Sequence, residues 1–210
     1  MLNKYKTINP DSIVVEESVI LGKNVTILGN CYILGNTIIE DNVTIYPFTY
    51  IENSFIGENS KIMSSFLEDC KIGKNNTIGP YARIRPNTIT QENVKIGNFV
   101  EIKNSLICSN TKASHLTYIG DAEIQENVNI GCGVIFANYN GKVKNKTYIG
   151  KNSFIGSNSN LIAPLKIAED TYICAGTTLT TDTDKNDFVI GRVIPTIKKE
   201  RATKYLRKDN

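Results

Sequence analysis

The sequence contains no tryptophan, two methionines and one histidine among its 210 residues. It also lacks an apolar run approaching the ~20 residues that a membrane-spanning helix needs. Residues 1–10 show none of the charged, apolar and small-residue regions of a secretory signal, so a cytoplasmic protein is expected. Five cysteines, Cys31, Cys70, Cys108, Cys132 and Cys174, form no C-x-x-C pair and leave one over. Free thiols in a reducing compartment fit this better than a disulfide framework or a structural zinc site. With one histidine and no paired cysteines, no catalytic metal is expected either. A formal net charge of +3 supplies no basic stripe, which argues against a nucleic-acid partner.

What is present is a repeat. Aliphatic residues return every six positions at Leu21, Ile27, Ile33, Ile39, Ile45 and Ile51, then at Ile72, Ile78 and Ile84. The pattern continues at Ile124, Ile130 and Phe136, and at Ile149, Ile155, Leu161, Ile167, Ile173 and Leu179. On a helix, positions i and i+6 do not form one stripe. On extended chain, six is a multiple of the two-residue period, so each of these residues faces the same side. Short strands with a sharp corner every six residues therefore build an all-β prism of three faces, with an aliphatic column inside. Nine or ten stacked coils at ~4.8 Å each give a prism roughly 45 Å tall.

The corners carry glycine directly after the inward residue, at Gly57, Gly73, Gly79, Gly97, Gly131, Gly150 and Gly156. Asparagine sits three positions after the inward residue at Asn24, Asn42, Asn59, Asn75, Asn127, Asn152 and Asn158. Both types tolerate left-handed backbone, and both are expected to adopt it here. The spacing slips between Ile102 and Ile124, around Ser114-His115-Leu116-Thr117-Tyr118, and again between Phe136 and Ile149, around Asn138-Tyr139-Asn140-Gly141-Lys142. One-residue slips occur near 51–56 and 62–72. Breaks in a solenoid are where function is grafted. After Leu179 the repeat fades, which divides the chain into a prism over 1–183 and a basic arm over 184–210. The arm carries Lys185, Arg192, Lys198, Lys199, Arg201, Lys204, Arg207 and Lys208.

His115 is a candidate base, since an imidazole titrates near neutral pH. A lone histidine is more often structural than catalytic, and its place at a break, with Lys112 and Tyr118 close by, raises it as a candidate. Arg83, Arg85 and Lys103 flank inward residues and so point outward, where cations could meet a phosphate.

Several ordered motifs resemble one family. They are Ile78-Gly79-Pro80-Tyr81-Ala82-Arg83-Ile84-Arg85-Pro86, Gly97-Asn98-Phe99-Val100-Glu101-Ile102-Lys103, His115-Leu116-Thr117-Tyr118-Ile119-Gly120-Asp121-Ala122 and Asn127-Val128-Asn129-Ile130-Gly131. Further matches are Asn138-Tyr139, Gly156-Ser157, Ala163-Pro164, Ala175-Gly176-Thr177-Thr178 and Arg192-Val193. Together they resemble the acetyltransferase half of the bacterial bifunctional N-acetylglucosamine-1-phosphate uridylyltransferase/glucosamine-1-phosphate acetyltransferases. The resemblance implies a left-handed parallel β-helix with a short C-terminal arm, a homotrimer with active sites between subunits, and acetyl-CoA as co-substrate. It implies His115 as catalytic base, Asn138 orienting the imidazole or the reacting groups, and the Ser157 backbone N–H near the thioester oxygen. Arg85, Lys103, Tyr118, Asn129 and Lys144 would bind the amino-sugar phosphate, most simply glucosamine 1-phosphate. Cys132, Tyr139, Ser157, Ala175 and Arg192 would line the coenzyme A site. Cys132 stands where the family usually has a smaller residue. No Gly-rich, Arg-containing nucleotidyltransferase loop occurs in the sequence, so uridylyl transfer is not expected, and a separate uridylyltransferase is a conceivable partner. Two other readings follow from the same motifs: acetylation of another amino sugar or nucleotide sugar, and a non-catalytic assembly module for a nucleotidyltransferase.

Overall fold

The computed structural model describes residues 5–206. Every described strand is two to four residues long, and they stack into three parallel sheets of ten, nine and ten strands. The first face begins at Ile13–Val15, the second at Ile20–Leu21 and the third at Thr26–Ile27. The chain visits the faces in turn, so strands pair with those one coil away, as Ile84 does with Ile102 and Ile102 with Ile119. The result is a left-handed parallel β-solenoid of about ten turns. No described helix is long and apolar enough to cross a membrane.

The six-residue series is the core. Ile33, Ile51, Leu67, Ile84, Ile102, Ile119, Phe136 and Leu161 fill the inside of the first face, and isoleucines hold most of the equivalent places on the others. Each buried isoleucine contributes roughly 1.5–3 kcal/mol over exposure, and it touches its equivalents in the coils above and below.

The corners between the second and third faces are left-handed asparagines, including Asn24, Asn42, Asn59, Asn75, Asn110, Asn127 and Asn152. Their amides bond along the prism, as in Asn110 to Asn127 (3.2 Å), Asn127 to Asn152 (3.1 Å) and Asn152 to Asp170 (3.0 Å). The glycines differ from expectation. Of the seven named from sequence, only Gly79 has a positive φ. At Gly57, Gly73, Gly97, Gly131, Gly150 and Gly156 a Cβ would stand only 2.0–2.6 Å from an atom of the neighbouring coil's backbone. They are there for close approach, not for handedness.

The break expected around His115 is also corrected. Ala113 supplies the inward residue of that step, so 113 to 119 is a regular interval of six, and His115 lies within it. The irregularity is the shortened corner between the first and second faces, where Ile102 is followed by Ile107 and Ile119 by Ile124. An alanine does not stand out in a series of large aliphatics. The second slip is a true insertion, a compact turn over 138–146.

The third-to-first corner is unlike the others. Here the left-handed position is held by Asn30 and Ser64 but also by Phe48, Tyr81, Phe99 and Leu116, these four between 55% and 74% exposed. Tyr81 and Phe99 stack at 5.6 Å. Higher up the same edge the left-handed residues become Gly133, Asn158 and Gly176. The strand Phe188–Val189 closes the third face, beyond the point where the sequence repeat fades. Residues 191–202 have no regular structure, and a short helix follows at Thr203–Leu206. Arg207 and Lys208 lie outside the described residues.

Candidate active site

His115 ends the third-face strand Lys112–His115 and sits on the third-to-first edge. Gly97 allows that strand to close in, since a Cβ there would meet the Ser114 carbonyl at 2.0 Å. The imidazole is exposed, and its Nδ1 lies 2.8 Å from Asn98 Oδ1 on the coil below. A carbonyl oxygen only accepts, so Nδ1–H donates and Nε2 is left as a lone-pair acceptor facing outward. The backbone is held too: Leu116 N–H donates to the Asn98 carbonyl (3.0 Å), and the Thr117 hydroxyl donates to the His115 carbonyl (2.7 Å).

Across the first face, at its far corner, polar groups form a second cluster. Asp121 is buried, and its carboxylate accepts from Asn104 Nδ2 and Asn138 Nδ2, each at 2.5 Å. Lys103 Nζ lies 3.9 Å from the same carboxylate. Burial pushes the Asp121 carboxyl upward, but the two amides, Lys103 and Lys144 outweigh it and hold it below its ordinary value. The neighbouring Lys144 and then burial hold Lys103 below the usual lysine range, against the pull of Asp121. Arg85 pairs with Glu101 at 2.7 Å, and Arg83 with Glu68 at 3.1 Å. Gly120 makes room: a Cβ there would stand 2.5 Å from the Tyr118 hydroxyl and 2.7 Å from Asn138 Nδ2.

Above His115 the edge continues through Cys132, Ser157 and Ala175. These corners are stacked by Asn158 N–H to the Cys132 carbonyl and Gly176 N–H to the Ser157 carbonyl, both 2.8 Å. Gly131 lets Ser157 approach, its position lying 2.6 Å from the Ser157 nitrogen on a built Cβ. Among the described residues no carbonyl or side chain takes up the Ser157 N–H. Arg192 lies over the left-handed Gly176, with Cγ 3.5 Å from where a Cβ would stand. Cys132 is half-buried, and Tyr139 is exposed on the inserted turn, its hydroxyl donating to the Gly141 carbonyl.

One chain thus brings Lys103, Lys144, Tyr118 and Asn138 together at one corner of the first face, with Arg85 one coil below Lys103. His115, Cys132, Ser157, Ala175 and Arg192 share the other edge. Asn129 lies on the outer side of the third face, paired with Lys112 and Phe154, around the edge from Tyr118. Asn138 is bonded to Asp121, and the imidazole's partner is Asn98. Sequence reasoning missed Asn98, Asn104, Gly120 and Asp121 as site residues. An Asn or Asp at a corner reads as a turn residue, and only the depth of Asp121 distinguishes it.

Residues 18–53 and 69–104 match the family model of the bacterial transferase hexapeptide (six repeats). The chain is 56% identical over 144 residues to the bifunctional protein GlmU of Caldicellulosiruptor saccharolyticus, a match spanning 69% of this chain and 31% of that protein. It is 49% identical over 160 residues to the GlmU of Clostridioides difficile, covering 76% of this chain and 35% of the relative. The chain spans about a third of the length of the curated relatives it matches. Among solved structures, LpxA from Bacteroides fragilis, a UDP-N-acetylglucosamine acyltransferase, superposes with a TM-score of 0.62 at 20% identity. That match covers 81% of this chain and 66% of the other, and it shows the shared fold.

Proposed function

We propose an activity for a chain that belongs to the hexapeptide-repeat family and is homologous to about a third of GlmU: acetyl-CoA-dependent N-acetylation of an amino-sugar phosphate, glucosamine 1-phosphate first. The observation that carries the proposal is the position of His115 Nε2. It opens at the foot of a file of small corners that rises to an arginine, and in the trimer of this reading a neighbouring copy brings its cationic, amide-lined corner up to it.

Arg85, Lys103 and Lys144 take the sugar phosphate, with Tyr118 beside them and Asn129 contributed from around an edge. The amine nitrogen attacks the thioester carbonyl carbon, forming the C–N bond. His115 Nε2 takes the proton that the nitrogen sheds, while Asn98 steadies the imidazolium through Nδ1–H. Charge developing on the carbonyl oxygen is met by the Ser157 N–H, a donor with no competing partner. As the C–S bond breaks, the proton passes to the departing thiolate. Cys132, Ala175 and Tyr139 line the path of the pantetheine arm. From His115 to the Gly176 corner is three coils, ~14 Å at 4.8 Å each, which places Arg192 at the phosphate end of an extended arm.

The working unit in this reading is a homotrimer. Phe48, Tyr81, Phe99 and Leu116 combine strained backbone with exposed apolar surface on the edge that carries His115; a second copy packed there buries that surface and offsets the strain. Small residues higher on that edge leave space for the donor between copies. A cytoplasmic location fits substrates bearing phosphates, which do not cross bilayers unaided.

The test is release of free coenzyme A from acetyl-CoA by the purified chain, with and without glucosamine 1-phosphate. Amine-dependent release is expected, falling by about 10²–10⁴ in His115→Ala. A panel of amino sugars and nucleotide amino sugars identifies the acceptor. A folded trimer that releases no coenzyme A with any of these amines refutes the proposal.

A further inference from the structure

We infer that Asp121 is a positioning residue that makes the site select an amine, by fixing which end of the Asn138 amide faces the acceptor. The inference rests on the acetyl-transfer reading and deepens it.

Asp121 occupies a left-handed corner position that holds Asn53, Asp69, Asn87 and Asn104 in the coils below. Unlike Asp69, it is buried, and its two oxygens are each occupied by one amide, Oδ1 by Asn104 and Oδ2 by Asn138. An ionised carboxylate can only accept, so both amides must turn their NH₂ groups toward it. Lys103 and Lys144 help keep it ionised at neutral pH. The Asn138 carbonyl oxygen is thereby turned away from Asp121. No described donor bonds it, and it is not sealed from solvent, since Thr147 Oγ1 is the one buried side-chain atom without a partner among the described residues.

In the trimer of the acetyl-transfer reading, with its active sites between subunits, the Asn138 corner of one copy faces the His115 edge of the next, and the site offers two fixed acceptors, Asn138 Oδ1 and His115 Nε2. A neutral primary amine has two hydrogens, one for each, and keeps its lone pair for the thioester carbon. A hydroxyl has one hydrogen and leaves an acceptor unpaired, which a water-poor site penalises. Asp121 touches neither substrate; it acts by denying Asn138 the opposite orientation.

The substitution D121N tests this with little backbone cost, because Asn already fills the equivalent corners at 53, 87 and 104. An amide in place of the carboxylate can donate to Asn138 Oδ1 and let that side chain turn over. The kcat/KM for the amino-sugar phosphate is expected to fall about tenfold or more, with KM for acetyl-CoA changed by less than about twofold. In an N138A background D121N should add no further loss, as expected when one residue acts through the other. The exchanged pair D121N/N138D, which keeps one carboxylate and one amide in the stack, restores an acceptor at 138. It should recover most of the lost turnover at a pH where the amine is neutral. The same exchange three coils lower, D69N, should change nothing.

Losses that add in the double variant, or a loss shared equally by both substrates, would overturn the inference. A second readout does not depend on turnover. In ¹⁵N-labelled protein the Asn138 side-chain amide, donating to a carboxylate, should move on D121N. If it does not move, Asp121 is not what holds it, even in a chain that acetylates nothing. If it moves while the parent releases no coenzyme A, the acetyl-transfer reading fails and the positioning stands.

Discussion

Replacing Phe99 by asparagine separates the stability of the chain from the stability of its assembly. Phe99 is left-handed (φ 55°) and 58% exposed, and it stacks on Tyr81. In the isolated chain asparagine relieves left-handed strain of about 1–2 kcal/mol, as it does at the other corners. Losing the aromatic stack costs about 0.5–1.5 kcal/mol, so the net effect on the lone chain is close to zero. In an assembly that covers this edge the balance differs. An aromatic side chain offers ~200 Å², of which the exposed fraction is ~120 Å². At ~25 cal/mol/Å² its burial contributes ~3 kcal/mol per contact, or roughly 100-fold in a dissociation constant. Sedimentation velocity across a dilution series should show Phe99→Asn dissociating at concentrations where the parent stays trimeric. Urea unfolding of the dissociated chain should show an unchanged midpoint. The reasoning is refuted if the variant assembles like the parent while its chain is clearly less stable, because Phe99 would then be a core residue of the monomer. A parent that is monomeric at all concentrations refutes it at the first step.

Three further outcomes are expected. Gly97→Ala would drive a Cβ to 2.0 Å from the Ser114 carbonyl. The strand bearing His115 must shift, costing both thermal stability and amine-dependent turnover, and a normal melting curve with full activity would contradict the close-approach account. Iodoacetamide on the native protein should label one thiol per chain, Cys132, and acetyl-CoA should protect it. Cys31, Cys70, Cys108 and Cys174 are buried, and burial pushes the Cys70 thiol up to about 12 and Cys108 to about 11. Peptide mapping that finds a second fast thiol would count against this packing. Asp121 has its folded-state pKa lowered, so the stability it confers is present above the ordinary aspartate value of about 3.9 and lost as pH falls through the lower folded value. Acid unfolding should therefore be less pH-dependent in D121N, and identical acid profiles would show that the carboxylate is not depressed.

The faces of the prism were legible from sequence because a side chain's direction in a strand repeats every two residues, and six is a multiple of two. Ile78, Ile84, Ile102 and Ile130 could be placed inside on that ground alone. Ala113 and Thr90 could not, since neither resembles the isoleucines above and below it. The role of the corner glycines was misjudged for a related reason. Local conformation is a property of one residue, whereas close approach depends on a coil 16 to 26 residues away, and a six-residue window does not reach it. His115, Lys103 and Asn138 were visible through family resemblance; Asn98 and Asp121, which hold two of them, lie inside the same motifs but look like turn residues.

A longer interval carries what the six-residue one leaves out. Six residues say which face a side chain is on; one full coil says which side chain stands directly above it. Read at that interval, the two halves of the site line up. Arg85 and Lys103 are 18 residues apart, Asn104, Asp121 and Asn138 follow one another at 17, and in the structure Asp121 joins Lys103 and Asn104 below to Asn138 above. His115 and Cys132 are 17 apart, and Ser157, Ala175 and Arg192 continue at 18 and 17. The one exception is the 25 residues from Cys132 to Ser157, the same interval that separates Asn127 from Asn152 on another corner. That excess of seven is the turn bearing Tyr139 and Lys144. It is inserted without disturbing the stacking above it, because strands on either side still pair in parallel register. The solenoid therefore turns distance along the chain into position along an axis at ~4.8 Å per coil. An insertion can add a lysine to the phosphate corner while leaving the opposite edge, from His115 to Arg192, in line.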